Sequence, residues 1–190
     1  TRNEVRGQKE QLEAQNLTLK QQRFENTFFS LLDLFSDIIG SMKITDARSA
    51  TFRGRDCFTL LYSDLQREYT NFQHSAQSVD HKASCIAAYD AFANYRQVVI
   101  GHYFRTFYNV VKFIDKSSIE DKQTYINILR AQLSSSELNL LFYNCLSDYG
   151  SHKFKPYVEQ YGLLENMMLS NLMRQDHKSL YNESAFKNQL

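Results

Sequence analysis

One pair of side chains suited to acid–base chemistry is Arg96 and His102, in the run Arg-Gln-Val-Val-Ile-Gly-His. A titratable imidazole can accept a proton near neutral pH, and a fixed guanidinium can stabilise charge that develops on a nearby oxygen. On a helix, however, the two positions lie about 120° apart, and Arg96 falls within the apolar stripe. The helical geometry therefore favours a buried arginine paired with a carboxylate.

The spacing of Arg96 and His102 resembles the motif of HEPN ribonucleases, which are helical domains common in bacterial defence. That resemblance implies a pair that meets across a dimer, activates a 2′-hydroxyl and stabilises phosphate charge without a metal. The sequence departs from the motif at Gln97, where those enzymes usually carry Asn, Asp or His. We keep a ribonuclease toxin as an alternative and favour a domain without catalysis.

A second group of polar residues follows on the same predicted helix. His102, Arg105 and Lys112 recur at helical spacing, and Tyr108 lies beside them. Such a group could bind a phosphate, a carboxylate or the backbone of a partner. The competing interpretation is a set of hydrogen bonds that fixes this helix against its neighbours.

Two further arginines, Arg53 and Arg55, flank Gly54 at a predicted helix start. Free backbone amides and positive side chains converge at such a position, so an anion could bind there. A capped and solvated helix end is the more common arrangement. Arg130 lies on a mainly apolar segment, where we expect it to close an internal ion pair rather than to contact a substrate.

Composition limits the classes of function. Lys plus Arg is 22 and Asp plus Glu is 21, so the net charge of +1 lacks the basic excess of a dedicated nucleic-acid binder. The odd number of cysteines, 3, favours free thiols. His74, His81 and Cys85 do not complete a zinc site, and no phosphate-binding loop or dinucleotide-binding glycine pattern occurs. The sequence predicts no metal and no cofactor.

The elements that position these residues are helices, since the 190 residues contain only 6 Gly and 1 Pro. Apolar residues at three- and four-residue spacing predict helices over about 23–39, 52–72 and 83–116. Ser117 with Glu120 and Ser134 with Glu137 match capping boxes, which predicts helices over about 118–132 and 135–148. Pro156 suits the first turn of a last helix that extends to Leu172. The fold class is all-α, an antiparallel multi-helix bundle with an N-terminal coiled-coil-like helix.

Three regions follow from this pattern. Residues 1–22 are polar and rich in glutamine, with Val5, Leu12 and Leu19 one heptad apart, which indicates a weak coiled coil able to self-associate. A solvated helix is the competing interpretation. Residues 23–174 form the helical domain, and residues 175–190 are a polar C-terminal tail or a segment that binds a partner.

Several sequence segments, in a fixed order over about residues 23–170, resemble the bacterial phage abortive infection (AbiC-like) protein family. They are Arg23-Phe-Glu-Asn-Thr-Phe-Phe29, Gly54-Arg55, Gly101-His-Tyr-Phe-Arg105 with Tyr108, Tyr125-Ile-Asn-Ile-Leu-Arg-Ala-Gln-Leu133, Glu137-Leu-Asn-Leu-Leu-Phe-Tyr-Asn144 and Lys153-Phe-Lys-Pro-Tyr157. The resemblance implies that six residues of this chain occupy positions shared with the family, although it assigns them no roles: His102, Arg105, Tyr108, Arg55, Arg130 and Asn144. We expect Arg130 and Asn144 to be structural.

The resemblance implies a cytosolic domain that follows a coiled coil and two membrane helices. We therefore expect that this chain belongs to a longer protein, with further residues before Thr1. We expect the full-length protein to lie at the cytoplasmic face of the bacterial inner membrane, and this segment to be soluble in the cytoplasm. Some relatives act beside reverse transcriptase–noncoding DNA (retron) units. The hypothesis that we prefer is a regulatory and interaction domain of an anti-phage effector. The alternatives are the HEPN-like ribonuclease and a module that binds nucleic acid or reverse transcriptase, in which Arg53, Arg55, Lys112 and Lys116 would contribute.

Overall fold

The computed structural model describes residues 2–75 and 80–187 and confirms the all-α fold class. The helices are α1 (Arg2–Ser41), α2 (Asp56–Ser75), α3 (His81–Lys116), α4 (Lys122–Arg130), α5 (Ser135–Asn144) and α6 (Lys155–Tyr161). Short 3-10 turns follow at Leu169–Asn171, Gln175–Leu180 and Glu183–Phe186. None of the helices in the described ranges has the length and hydropathy needed to cross a membrane.

The longest helix, α1, has two environments along its length. Its 40 residues extend about 60 Å at 1.5 Å per residue. The described side chains before Gln21 are all exposed, including Val5, Leu12 and Leu19 at 65%, 58% and 49%. From Phe24 onward, one face of α1 is buried. The heptad column therefore projects from the bundle and faces solvent in the single chain.

The buried half of α1 runs antiparallel to α3, as shown by two pairs of aromatic rings. Phe24 stacks on Phe113 with ring centroids 5.1 Å apart, and Phe35 stacks on Phe107 at 5.5 Å. The partner's number falls as the number on α1 rises, so the two helices have opposite directions. The three- and four-residue spacing of apolar side chains on both helices places these rings on the facing sides.

Helix α2 is also antiparallel to α3. The Phe58 ring lies 4.7 Å from the ring of Tyr103, and further along, Asp64 pairs with Arg96. Helix α3 thus contacts α1 and α2 along its length and forms the centre of the bundle. The antiparallel bundle that the sequence predicted is confirmed.

The segment between α1 and α2 lies between two of the predicted helices and contains a hairpin, which the sequence did not predict. Strand β1 (Lys43–Thr45) pairs antiparallel with β2 (Thr51–Arg53), with Ile44 opposite Phe52. Ile44 is buried and Phe52 is partly buried, which anchors the hairpin to the core. Strands of three residues give too short an alternation to be recognised from sequence.

One of the two predicted capping boxes is wrong. Ser117 ends α3, and its hydroxyl donates to the Ile114 carbonyl at 2.7 Å, so it does not start a helix. Helix α4 starts after Asp121, whose carboxylate accepts from the Thr124 amide at 3.1 Å. The other capping box is present at the start of α5, where Ser134 and Glu137 bond reciprocally. A serine can satisfy either end of a helix, so the short motif alone is ambiguous.

The predicted last helix ends earlier than expected. Pro156 lies in the first turn of α6, but Gly162 stops the helix with a left-handed backbone at φ +62°. A Cβ at this position would lie 2.1 Å from the Lys187 carbonyl oxygen, so only glycine fits. The chain then continues through 3-10 turns, and Leu172 is buried outside any α-helix.

The C-terminal segment that was predicted to be a polar tail packs on the bundle over its described part, residues 175–187. His177, Tyr181 and Ala185 are buried. The Tyr181 hydroxyl donates to the Phe142 carbonyl at 2.6 Å, which joins the segment to α5. Three apolar or aromatic contacts among mostly polar residues are enough to dock it. The three residues are four positions apart, but the backbone forms 3-10 turns rather than an α-helix.

His177 is the polar centre of this docking. Its Nδ1 lies 2.9 Å from the Tyr143 hydroxyl and its Nε2 lies 3.2 Å from the Tyr69 hydroxyl. The Cys85 thiol lies 3.5 Å from Nε2. Burial lowers the pKa of His177 to about 4, because the charged imidazolium loses its hydration. Burial also raises the pKa of Cys85 to about 12, so both groups are neutral at pH 7.

We expect the stability of the domain to fall on acidification in a window set by His177. The unfolded histidine titrates near its ordinary pKa of about 6.5 and the folded one near 4, so the unfolded state binds the proton first. The stabilisation is full above about pH 6.5 and is lost as the pH falls toward 4. Urea unfolding should give a free energy of unfolding lower by roughly 2–3 kcal/mol at about pH 4.5 than at about pH 7.5.

The matched control is His177→Gln, which keeps a polar side chain and removes the titration. Its free energy of unfolding should be lower at pH 7.5, and its fall between about pH 6.5 and 4.5 should be shallower than in the wild type. Equal slopes in the two proteins would show that His177 is not the group responsible.

Candidate functional site

The candidate site is a cavity of about 470 Å³ between the middle of α3 and the segment that joins α5 to α6. Helix α3 contributes one wall, and the end of α5 with the following turns contributes the other. The lining residues are Gln97, Gly101, Phe104, Arg105, Tyr108, Asn109, Asn144, Tyr149, Lys153 and Phe154. The volume lies in the usual range for a small-molecule site.

The charge of the pocket is positive. Arg105 on α3 and Lys153 after α5 are exposed, and neither forms an ion pair or hydrogen bond within the described part of the chain. No carboxylate is among the lining residues that the structure describes. Two cations without an internal counterion favour an anionic ligand, because their charge is otherwise balanced only by solvent ions.

Aromatic rings form much of the remaining wall. Tyr108 packs edge-on against Phe154 with ring centroids 5.7 Å apart, and Lys112 lies over the Tyr108 ring at 5.8 Å. Tyr149 is 48% exposed and contacts the Tyr89 ring at 5.9 Å. Tyr149 therefore presents part of its ring at the edge of the cavity while its other contacts hold it in place.

Two glycines make room for the pocket. A Cβ at Gly150 would lie 2.7 Å from Asn144 Oδ1 and 2.9 Å from the Asn144 carbonyl oxygen, so the turn after α5 can approach the helix end only with glycine. Asn144 is buried, and its amide donates to the Tyr89 hydroxyl at 2.7 Å. A Cβ at Gly101 would lie 2.7 Å from the side-chain amide of Gln97, which is flexible.

Two of the four residues predicted to share one face of α3 line the pocket, and the other two lie beside it. Arg105 and Tyr108 line the pocket, whereas His102 and Lys112 lie outside the lining on the same exposed face of the helix. His102 forms no ion pair or hydrogen bond within residues 2–75 and 80–187. These four positions form a strip about 15 Å long at 1.5 Å per residue.

The catalytic candidates Arg96 and His102 are not brought together within one chain. Both the Nε and an Nη of Arg96 bind the buried Asp64 carboxylate, at 2.8 Å and 2.6 Å. Arg67 holds the other oxygen of Asp64 at 2.9 Å. Arg96 therefore faces α2, while His102 is exposed to solvent.

The two arginines of the predicted anion site, Arg53 and Arg55, have different surroundings and do not form one site. Arg53 is exposed on β2, but Arg55 binds the Glu137 carboxylate, which is fully buried. The same carboxylate accepts from the Tyr103 hydroxyl at 2.9 Å, and burial with the adjacent charge raises the pKa of Tyr103 well above its ordinary value. The anion that Arg55 binds is thus a carboxylate of the protein itself rather than a ligand.

Arg130 is buried and pairs with Glu165, and it donates to the Gly162 carbonyl at 3.0 Å. Its contacts fix the turn after α6 to α4 and leave it away from the pocket. Cys85, for which the sequence predicted no metal site, contacts His177.

Sequence reasoning missed part of the pocket. Lys153, Tyr149, Asn109 and Gln97 line it but were not selected as binding residues. Lys153 lies in one of the sequence segments that carried the family resemblance, and that segment was the signal that could have pointed to it. The proximity of residues 149–154 to α3 is a tertiary contact, which no local sequence pattern predicts.

Comparison with known proteins gives a family match over part of the chain. The model of the family described as "Putative phage abortive infection protein" matches residues 95–172. This match includes every residue that lines the pocket and leaves out α1, the hairpin and α2. No curated protein and no solved structure matches the chain. Over residues 95–172 the chain is thus similar to phage abortive infection proteins.

We expect Arg96→Ala to destabilise the domain by about 1–3 kcal/mol, because it leaves the buried Asp64 carboxylate with Arg67 alone. Urea unfolding should show the loss. The double variant Asp64→Asn with Arg96→Ala should recover part of it, since no buried charge is then left without its partner. An Arg96→Ala protein as stable as the wild type would contradict a structural role for Arg96.

The two pocket glycines should respond differently to alanine. Gly150→Ala should destabilise the domain by about 1–3 kcal/mol, because its Cβ meets backbone atoms that cannot move aside. Gly101→Ala should be neutral or slightly stabilising, because alanine favours the helix and only the end of Gln97 must shift. Thermal unfolding of the two variants checks this order. A larger loss for Gly101→Ala would contradict the packing described here.

Proposed function

We propose that this chain is the cytosolic regulatory and interaction domain of a membrane-anchored bacterial anti-phage effector of the abortive infection type, and that the pocket is its binding site. The observation that carries the proposal is the coincidence of two independent features. The family match covers residues 95–172, and all the residues that line the basic, aromatic pocket fall within it. The part of the chain with the recognisable similarity is the part that builds a site.

The side-chain arrangement supports binding rather than catalysis. Arg105 and Lys153 are available to a ligand, whereas Arg96 is bound by Asp64 and lies on another face of α3 from His102. An acid–base pair must reach the same reacting atoms, which these two residues of one chain do not. The proposed domain therefore senses or restrains, and the toxic act belongs to another part of the effector.

The projecting half of α1 supports the proposed attachment. Its apolar column at Val5, Leu12 and Leu19 is exposed, and its partner in a coiled coil would be a second copy of the same helix. In the proposed arrangement, α1 connects the pocket domain to a membrane segment that precedes it. A change at the pocket would then reach the membrane part through a rigid helix.

One observation favours a second candidate, a module that binds nucleic acid in a retron-type complex. The strip of His102, Arg105 and Lys112 lies beside the partly buried ring of Tyr108, and basic grooves with aromatic rings bind single strands. The net charge of +1 weighs against it.

We expect protection against phage to require the pocket cations. Cells that carry the native gene with Arg105→Ala and Lys153→Ala together should lose most protection, measured as efficiency of plating, because both groups that attract an anion are gone. The matched control is Arg48→Ala, an exposed arginine in the turn between β1 and β2, outside the pocket and outside the family match. It should protect like the wild type.

Circular dichroism and thermal unfolding of the purified domains establish that all variants are folded. Full protection by the double variant would overturn the proposed role of the pocket. Cleavage of RNA by the wild-type protein, lost in a folded His102→Ala variant, would replace the proposal with the ribonuclease alternative.

A further inference from the structure

We infer that the pocket between α3 and the α5–α6 segment binds a nucleotide, with its phosphate at Arg105 and Lys153 and its base beside Tyr149. This inference rests on the proposed regulatory function of the same site and adds the chemical class of the ligand. Its basis is the combination of unpaired cations, side-chain amides and aromatic rings around one cavity of about 470 Å³.

The phosphate end is defined by charge. Arg105 and Lys153 come from opposite walls, and neither has an ion-pair partner within the described residues. A guanidinium binds two phosphate oxygens at once, and an ammonium adds a point charge from the other side. A bound phosphate would therefore join the two walls, which gives a ligand a means to hold α3 and the turn after α5 together.

The base end is defined by rings and amides. Tyr149 exposes about half of its surface, and Tyr108 is held by Phe154 and Lys112. The lining also contains the side-chain amides of Gln97 and Asn109. Amide side chains donate and accept at once, as the edge of a base requires, and an aromatic ring stacks on its face. A simple phosphate or carboxylate would use none of these groups.

The surroundings favour a free nucleotide over a continuous strand. Arg105 and Lys153 come from opposite walls of a cavity of about 470 Å³. Beyond the cavity, Lys116 at the end of α3 is paired with Asp115 at 3.4 Å, so part of its charge is already balanced. A cavity with two cations suits the phosphates of one nucleotide, whereas a polynucleotide needs a longer basic groove.

The test is isothermal titration calorimetry of the purified chain with the four ribonucleoside triphosphates and monophosphates, and with adenosine, inorganic phosphate and a single-stranded oligonucleotide. We expect at least one nucleotide to bind with a micromolar dissociation constant, and adenosine and phosphate to bind at least tenfold more weakly. Arg105→Ala should weaken nucleotide binding roughly 10- to 100-fold. Tyr149→Leu should weaken it roughly tenfold.

Arg48→Ala, an exposed arginine in the turn between β1 and β2, is the matched control and should bind like the wild type. The inference is overturned if no nucleotide binds, if phosphate binds as well as the nucleotides, or if the oligonucleotide binds more tightly and shares the dependence on Arg105. The nucleotide inference and the proposed function can fail separately. If the pocket double variant loses phage protection but the wild-type chain binds no nucleotide, the pocket is still required for function and only the nucleotide is rejected as its ligand.

Discussion

The carboxylate of Glu137 is the interaction that organises the centre of the molecule. It is fully buried, so its charge must be balanced and its oxygens must be hydrogen bonded. Three parts of the chain satisfy it: Arg55 before α2, Tyr103 on α3, and the amide of Ser134 before α5 at 2.8 Å. Because removal of any partner would leave a buried charge poorly compensated, these elements must meet at this point.

The position of the pocket follows from this arrangement. Tyr103 turns one face of α3 toward Glu137, so Arg105, two residues later, projects from a different face. Helix α5 carries Glu137 in its first turn and ends at Asn144, which lines the cavity. The same buried carboxylate therefore helps to fix the orientation of α3 and the position of α5, and both helices contribute to the walls of the site.

The C-terminal segment completes the bundle from the other side of α5. His177 joins Tyr69 of α2 and Tyr143 of α5, while Tyr181 bonds the carbonyl of Phe142. Residues that look like a solvated tail by composition thus cover the core. Since a neutral histidine is required for this packing, the docking of the segment depends on the protonation state of His177.

The sequence by itself determined the local features. Apolar spacing predicted the long helices and the antiparallel bundle, the Ser134 box and Pro156 marked two helix starts, and the helical angle between Arg96 and His102 argued against a shared active site. These properties depend on residues within one or two turns of each other. The sequence did not determine the short hairpin, the role of Ser117, or the end of α6 at Gly162.

Only the tertiary structure decided which side chains meet. Arg55 and Glu137 are 82 positions apart, and the partner of Arg96 lies on another helix. Lys153 and Tyr149 became pocket residues because the turn after α5 returns to α3, which no local pattern records. The physical reason is the range of the forces involved. Periodicity reports which face of an element is apolar, but the pairing of faces, and hence of the charges they carry, is set by packing of the whole core.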